Sequence, residues 1–435
     1  MKPKQIRVCS LALAFVAAIL PPSAICADAI APTIIVDQSH NYPRLTWTNV
    51  PGQVYDLLTS GELVLGKWSP LVTLTADSKT ATWTDEAQPA QSLFYYLSAR
   101  ADTNWASKLQ LALDRGRKSS GAIGAAAVVI SSNGVWQGTS GFSNPKTRNS
   151  IQPQMRFGIG SITKTFTTAL IIQLVEEGKL GMEDPLGKWL PDYPNITNTI
   201  TVRQLLSHTS GVYNFTENSR YWPMVSKTNK LYLPEETLTL VRSWNFLPGK
   251  GYSYSNTGFV LLGMVAEAVT KNTVAAEIRR RFLDPLQLRE TYLGAAEPES
   301  GDRAHPFSAN YTGSVLDVSD RPWLPEWSVA WSAGAMVSTA NDLAHWIQAL
   351  YGGSVLKPES LNEMTKWTSL SGSTYGLGTV RMTSSKGEFW GHEGAITGYL
   401  ASGAYSPTRQ VTVIVLINQD NSDSVRIWNG LVNAL

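Results

Sequence analysis

The 435-residue chain has only two cysteines, Cys9 and Cys26, and both lie near its N-terminus. If that segment is removed on export, the mature chain has no thiol. This would exclude a disulfide framework, a cysteine nucleophile and a zinc–thiolate site. Histidine is also scarce, with five residues and no pair spaced as HxH or HxxxH. We therefore expect neither a metal ion nor an organic cofactor.

Charge is sparse as well. Charged residues make up 16% of the chain and the formal net charge is +2. No stretch clusters lysine and arginine as a nucleic-acid interface would require, so we expect no nucleic-acid partner. The chain is long enough for more than one globular domain.

The N-terminal segment has the features of an export signal. Basic residues precede an apolar run over 11–20, which is too short to span a membrane. Small residues around Ala27 then match a cleavage site. We expect residues 1–29 to be removed and the protein to be periplasmic or secreted, without a stable membrane span. An uncleaved anchor and a lipoprotein attached at Cys26 are the alternatives.

Residues 30–101 have the pattern of a small β-sandwich. Short β-prone runs recur between turn signals such as Pro51-Gly52. Trp68, the stretch 83–85 and the run 94–96 resemble a fibronectin type III module. We expect these aromatic side chains to pack in the core or across strands, with a carbohydrate-binding face as the alternative. The predicted strands are Thr33–Val36, Arg44–Thr48, Gln53–Thr59, Pro70–Thr75, Thr80–Thr84 and Leu93–Ala99.

Residues 104–435 have a mixed α/β pattern. The Asn133-Gly134 turn predicts a hairpin near the start of this region, and three strand-like runs recur near its end. Strands at both ends with helices between them predict one antiparallel sheet flanked by helices, plus an all-helical subdomain. The predicted elements are helix Trp105–Arg115, strands Ile123–Ser131, Val135–Gly141, Glu388–His392, Tyr399–Tyr405 and Gln410–Asn418, and helix Ser422–Leu435.

The pattern Ser-x-x-Lys occurs three times, beginning at Ser143, Ser354 and Ser161. The first two copies lie in turns, whereas Ser161 opens a helical stretch over 165–177. Residues three apart on a helix are neighbours, so Lys164 would lie one turn from the serine. The helix start also offers free N–H groups for a developing oxyanion. The alternative is a capping serine followed by a solvated lysine.

A second motif, Tyr-x-Asn, begins at Tyr254 and precedes an apolar helix predicted over Phe259–Val269. A tyrosine here can act as a general base if a nearby cation favours its phenolate. Asn256 can form a hydrogen bond with a substrate amide. The alternative is a turn tyrosine followed by a helix-capping asparagine. Another Tyr-x-Asn copy, at Tyr193, lies in a proline-bracketed loop.

A third motif, His392-Glu-Gly394, is the only His-x-Gly in the chain and lies on a predicted strand. Glycine at 394 would let a substrate backbone approach the strand. The N–H group of Ala395 would then complete an oxyanion hole. The alternative for an isolated histidine is a structural role.

The order of these three motifs resembles the serine β-lactamase and penicillin-binding superfamily. Tyr-x-Asn, and His in place of Lys in the third motif, are closest to class C β-lactamases and D-alanyl-D-alanine carboxypeptidases. Four segments around the motifs are also similar to family segments: 157–164, 202–211, 332–339 and 375–378. The resemblance covers about residues 104–435 and implies the β-lactamase/transpeptidase-like fold.

The resemblance implies acyl transfer at Ser161. Lys164 and Tyr254 would share the proton transfers, and His392 would lie where the third-motif cation usually sits. We expect an exported serine hydrolase that acts on D-alanyl peptides of peptidoglycan or on β-lactams. An esterase for small acyl esters is one alternative, and a non-catalytic binder of cell-wall material or penicillin is another. We expect His208 to be structural, because the family uses the Lys/Tyr pair as base.

The middle residue of the third motif departs from the family pattern. It is often Thr or Ser, whose hydroxyl helps to hold a substrate carboxylate, but here it is Glu393. A glutamate that faced the cleft would repel such a carboxylate unless a cation, for example Arg381, compensated. If Glu393 points away, as alternate strand residues do, the repulsion vanishes. The sequence leaves both orientations open.

Overall fold

The computed structural model describes most of the chain after residue 102 and six strand segments before it. The predicted export signal, residues 1–29, lies outside the described residues, and so does Trp68. The chain forms two compact units. The first holds the described residues up to 106 together with 132–134, and the second holds the rest of the described chain. From 103 onward the structure describes every residue except 227–229, 300, 311–312, 369 and 371–373.

The first unit contains two three-stranded antiparallel sheets, with strand orders 1-2-5 and 4-3-6. Leu45 and Leu57, one from each sheet, are fully buried. The six strands lie where the sequence pattern predicts them, while the assignment of a fibronectin-like module remains a prediction. The strands are β1 Ile34–Asp37, β2 Arg44–Thr48, β3 Gln53–Ser60, β4 Ser69–Thr75, β5 Thr80–Thr84 and β6 Phe94–Ala101.

The second unit is built around one seven-stranded antiparallel sheet. The longer strands are β7 Gly124–Ser131, β8 Gly134–Asn144, β15 Val380–Ser384, β16 Gly387–Ile396, β17 Tyr399–Ser406 and β18 Val411–Ile417. The short strands are β9 Asn149–Ser150, β10 Phe157–Gly158, β11 Tyr292–Leu293, β12 Phe307–Ser308, β13 Leu316–Asp317 and β14 Met336–Ser338.

Strands from the two ends of this unit meet in the centre of the sheet. The strand order is 15-16-17-18-7-8-9, and β18 pairs with β7 so that Val415 faces Ala127. Every residue of β18 is buried, because helices cover both faces of the sheet. The predicted antiparallel sheet built from both termini and flanked by helices is therefore confirmed.

Eleven α-helices are described across the chain. Helices α9 and α11 pack on the sheet, while α2, α6 and α8 pack together beside it. No single described helix is long and apolar enough to cross a membrane. Two consecutive helical segments, 256–270 and 274–283, are long and apolar enough only when taken together, and they are bent by 79° where they meet. The helices are α1 Thr103–Ser120, α2 Thr163–Glu176, α3 Val202–Leu206, α4 Tyr221–Val225, α5 Pro234–Leu238, α6 Asn256–Thr270, α7 Val274–Ile278, α8 Leu324–Gly334, α9 Ala340–Tyr351, α10 Pro358–Met364 and α11 Ser424–Ala434.

Helix α2 lies inside the core. Every residue from 163 to 172 is buried, so the helix has no solvated face over that stretch. Its threonines fit this interior because their hydroxyls have partners; Thr167, for example, donates to the carbonyl of Ser332. The sequence predicts an amphipathic helix that begins at the serine. The helix instead begins at Thr163, and Ser161 lies in the preceding 3₁₀ turn.

Candidate active site

The turn that carries Ser161 is crossed closely by strand β16. A side chain at Gly160, which has a φ of +50°, would come within 2.5 Å of the Ala395 nitrogen. A side chain at Gly394 would come within 1.9 Å of the Ile159 carbonyl oxygen. Glycine is therefore required at both positions for the turn and the strand to touch. The sequence predicts that Gly394 lets a substrate approach the strand. The structure shows that Gly394 is also needed for the strand to pack against the serine turn.

Lys164 lies directly behind the serine. Its Nζ is 3.0 Å from Ser161 Oγ, 2.8 Å from Asn256 Oδ1 and 2.7 Å from the Ala333 carbonyl oxygen. The side chain is fully buried, which excludes the alternative of a solvated first-turn lysine. Three acceptors thus surround one amine at hydrogen-bond distance.

Burial sets the charge of this amine. Removal from water disfavours the ammonium form, so the pKa of Lys164 falls well below its usual value. A neutral amine donates two hydrogen bonds and keeps one lone pair. Asn256 and Ala333 offer only acceptor atoms, so the lone pair faces the Ser161 hydroxyl. The group is placed to accept the serine proton.

Tyr254 approaches the serine from another direction. Its hydroxyl donates to Ser161 Oγ over 2.8 Å, and burial raises its pKa well above the usual range. Its hydroxyl is therefore neutral in this structure, and a resting phenolate is not favoured. Of the pair, Lys164 is the one placed to accept the serine proton, while Tyr254 keeps its proton and donates a hydrogen bond to Ser161 Oγ.

Asn256 begins helix α6 and lies beside the lysine. Its Oδ1 accepts from Lys164, and its Nδ2 is 3.3 Å from Asn214 Oδ1, which also accepts the Asn256 backbone N–H. This pairing fixes the orientation of the amide, with oxygen towards the amine. The contact that the sequence predicts between Asn256 and a substrate amide stays a prediction.

The two N–H groups predicted for the oxyanion hole lie on the serine turn and on strand β16. The Cβ position at Gly394 is 3.3 Å from the Ser161 nitrogen, and the one at Gly160 is 2.5 Å from the Ala395 nitrogen. The two backbone N–H groups therefore belong to segments in direct contact. Such a pair of donors suits an oxygen that gains negative charge.

His392 is buried and held by two hydrogen bonds. Its Nδ1 lies against the Glu393 carbonyl, so Nδ1 carries the proton and Nε2 accepts from the Tyr375 hydroxyl over 2.9 Å. Burial, together with the nearby Lys164, lowers its pKa to about 3. The imidazole is therefore neutral at physiological pH, and the cation that the resemblance places here is absent in this structure.

His208 does not contact the serine. Its Nδ1 accepts the Ser255 backbone N–H over 3.2 Å, and its ring centroid lies 4.2 Å from that of Tyr254 and 4.6 Å from that of Tyr375. Burial lowers its pKa well below the usual value. Its position supports the two tyrosines, in line with the predicted structural role.

A cleft of about 520 Å³ opens in front of Ser161. Glu393 lines this cleft, which decides between the two orientations that the sequence left open. Arg381 does not compensate its charge. That guanidinium lies 4.0 Å from Glu388 and 5.9 Å from the Trp367 ring centroid, and it is not part of the lining.

Two functional groups beyond the predicted set contribute to the site. The Ala333 carbonyl leaves helix α8 after a kink at Trp331, whose φ of +37° is strained for a bulky residue. Tyr375 donates to His392. Both lie in segments that resemble the family, but their roles depend on contacts across 169 and 17 residues of chain, which no local pattern encodes.

Comparison with known proteins gives the family. A family model described as β-lactamase matches residues 109–434. Penicillin-binding protein 4* of Bacillus subtilis (strain 168) is 27% identical over 296 residues, which are 64% of each chain. Protein flp of Staphylococcus aureus (strain MW2) is 30% identical over 212 residues, 48% of this chain and 41% of flp. The chain thus spans less than two thirds of the length of these two relatives.

Solved structures match the same region. A D-stereospecific amidohydrolase from Streptomyces sp. is 32% identical with a TM-score of 0.66, over 74% of this chain and 97% of that chain. The D-amino acid amidase from Ochrobactrum anthropi SV3, solved with D-phenylalanine, is 25% identical with a TM-score of 0.68, over 76% and 99%. The chain belongs to the β-lactamase family, and its relatives and structural neighbours include penicillin-binding proteins and D-amino acid amidases.

Proposed function

We propose that the protein hydrolyses amide bonds of small D-amino acid derivatives through an acyl-enzyme at Ser161. One observation carries this proposal: Ser161 Oγ lies within hydrogen-bond distance of both a buried amine and the phenol of Tyr254. A purely binding protein has no need of that arrangement. The D-amidohydrolases among the structural neighbours supply the substrate class.

In the proposed acylation, the neutral Lys164 amine takes the proton of Ser161 as Oγ attacks the carbonyl carbon. The carbonyl electrons move to oxygen, which the N–H groups of Ser161 and Ala395 stabilise. The ammonium formed on Lys164 has three N–H groups and meets three acceptors, Asn256 Oδ1, the carbonyl of Ala333 and Ser161 Oγ. The site therefore suits the charge that this step creates.

Collapse of the intermediate breaks the carbon–nitrogen bond. The leaving nitrogen takes a proton from the Tyr254 hydroxyl, and that hydroxyl regains one from the Lys164 ammonium. Water then attacks the acyl ester of Ser161 while the same pair removes its proton. Collapse of this second intermediate breaks the bond between the carbonyl carbon and Ser161 Oγ, and the pair returns the proton to Oγ. The acid then leaves, and the starting state is restored.

Carboxypeptidase and β-lactamase activities are less well supported than amidase activity. Both substrate types carry a carboxylate, and no cationic side chain is among the described residues that line the cleft. A small neutral ester has no carboxylate and needs no cationic side chain in the cleft, so esterase activity is the second candidate. Export to the periplasm or the medium remains part of the proposal and rests on the N-terminal segment.

The test is intact-mass spectrometry and turnover with D-phenylalanine amide, a penicillin and a nitrophenyl ester. We expect Ser161→Ala to abolish amide and ester turnover and any acyl adduct. Ser354→Ala changes the exposed serine of another Ser-x-x-Lys copy and is the matched control. This variant should retain amide turnover, ester turnover and any acyl adduct. Turnover that survives in a folded Ser161→Ala variant would overturn the assignment.

A further inference from the structure

The cleft in front of Ser161 carries negative charge. Among the described residues that line it, Glu393 and Asp423 are the only ones with a carboxyl side chain, and none is a lysine or arginine. His392 also lines the cleft but is neutral, because burial holds its pKa at about 3. The remaining lining residues are uncharged side chains such as Tyr252, Thr374 and Leu400.

The two carboxylates differ in their partners. Asp423 accepts the Arg426 backbone N–H over 2.8 Å at the start of helix α11, and the Arg426 guanidinium lies 3.6 Å from it. The side-chain carboxylate of Glu393 forms no hydrogen bond or ion pair with any described residue, whereas its backbone carbonyl faces His392 Nδ1. Loss of water and the neighbouring Asp423 raise its pKa above the usual value. The Glu393 side chain is exposed at the cleft wall, so its unpaired carboxylate is accessible to a cation that arrives with the ligand.

The backbone beside Glu393 is also open to a ligand. Strand β15 pairs with β16 only as far as Gly391, while β17 pairs with the other edge of β16 up to Ile396. From 392 to 396, one edge of β16 therefore has no strand neighbour in the described part of the chain. This edge holds Ala395, beside the serine turn. Glu393 and the N–H group predicted to bind the reacting carbonyl therefore lie two residues apart on one strand.

We propose, resting on the proposed amidase function, that Glu393 selects substrates with a protonated amino group next to the scissile carbonyl. The ligand class is thus free α-amino acid amides and short peptides with a free amino terminus. Glu393 would contact the substrate ammonium, and Asp423 would strengthen the negative field behind it. The same charge disfavours substrates whose amino group is blocked or replaced by a carboxylate.

The test compares three substrates that differ only at the amino group: D-phenylalanine amide, its N-acetyl form and its N-succinyl form. Ammonia release gives kcat/KM for each. We expect the wild-type protein to prefer the free amine at least tenfold over the acetyl form, and the succinyl form to be poorest. Glu393→Gln should reduce the free-to-acetyl ratio at least fivefold, Glu393→Asp should retain part of it, and Glu393→Lys should favour the succinyl form.

Glu388→Gln is the matched control, because it makes the same change on the same strand outside the cleft lining. It should leave the free-to-acetyl ratio unchanged. A wild-type ratio near one, or a ratio unaffected in Glu393→Gln, would overturn this inference while Ser161-dependent amide turnover upholds the proposed function. If no substrate shows Ser161-dependent turnover, nitrophenyl esters included, both proposals are wrong.

Discussion

The two sides of the Ser161 hydroxyl are built in opposite ways. Behind it, Lys164 is buried in the core and held by hydrogen bonds to Ser161 and Asn256, and Tyr254 donates to the same hydroxyl. In front of it, Glu393 borders an open cleft without a partner among the described residues. The hydrogen bonds on the closed side, around Lys164, can fix the positions of protons. On the open side, the Glu393 carboxylate is left to pair with a charge on the ligand. Chemistry and selectivity are therefore expected to respond differently to substitution.

The largest effect is expected on the closed side. Lys164→Ala removes the proton acceptor and should lower kcat/KM for amides by about 10³-fold or more. Steady-state kinetics with D-phenylalanine amide measures this. Lys357→Ala alters the exposed lysine of another Ser-x-x-Lys copy and should leave kcat/KM unchanged. A folded Lys164→Ala variant with near-normal turnover would show that another group accepts the proton.

A smaller loss is expected for Tyr254→Phe. This change keeps the ring contact with His208 but removes the donor to Ser161 Oγ, so kcat should fall by about 10²-fold. The fall should be smaller for nitrophenyl esters, because their leaving group needs no proton. Tyr193→Phe, in the other Tyr-x-Asn copy, is the control. Equal losses for amide and ester would contradict a donor role for the phenol.

A buried acid near the end of strand β16 tests the energetics of the closed interior. Glu326 is buried, accepts from Thr397 over 2.7 Å, and has its pKa raised by burial to about 7. A carboxyl group with a higher pKa in the folded chain contributes its full stability below about pH 4.5. That contribution declines as the pH rises to about 7, by at most roughly 3 kcal/mol.

Glu326→Gln should therefore raise the free energy of unfolding at pH 8 by about 2 kcal/mol and change it little at pH 5. Urea denaturation at the two pH values measures the difference. The amide oxygen can still accept from Thr397, so the packing is retained. Equal stability changes at both pH values would show that Glu326 does not titrate in this range.

The smallest effect is expected for Asp423→Asn on the open side. Asn retains the helix-capping oxygen, and the charge removed is already partly paired with Arg426. We expect the free-to-acetyl preference to fall about twofold, compared with the larger fall for Glu393→Gln. If Asp423→Asn lowered the free-to-acetyl ratio as much as Glu393→Gln does, Asp423 would contribute as much as Glu393 to the selection of the amino group.

The sequence was informative wherever function depends on residues close together in the chain. The spacing of Ser161 and Lys164 predicts their contact, and the strands of the central sheet follow from local patterns. The protonation equilibria do not follow, because the pKa of Lys164 is lowered by burial among segments distant in sequence. The orientation of Glu393 also depends on tertiary structure, since strand alternation alone allowed both faces.

The start of helix α2 has a consequence for thermal inactivation. The helix that carries Lys164 is surrounded by the core along 163–172, and Phe166 stacks on Trp346 with ring centroids 3.9 Å apart. Residues 163–172 cannot unfold locally without disrupting the core packing around them. The catalytic geometry should therefore persist up to the melting transition of the second unit, so activity and core structure should be lost at one temperature.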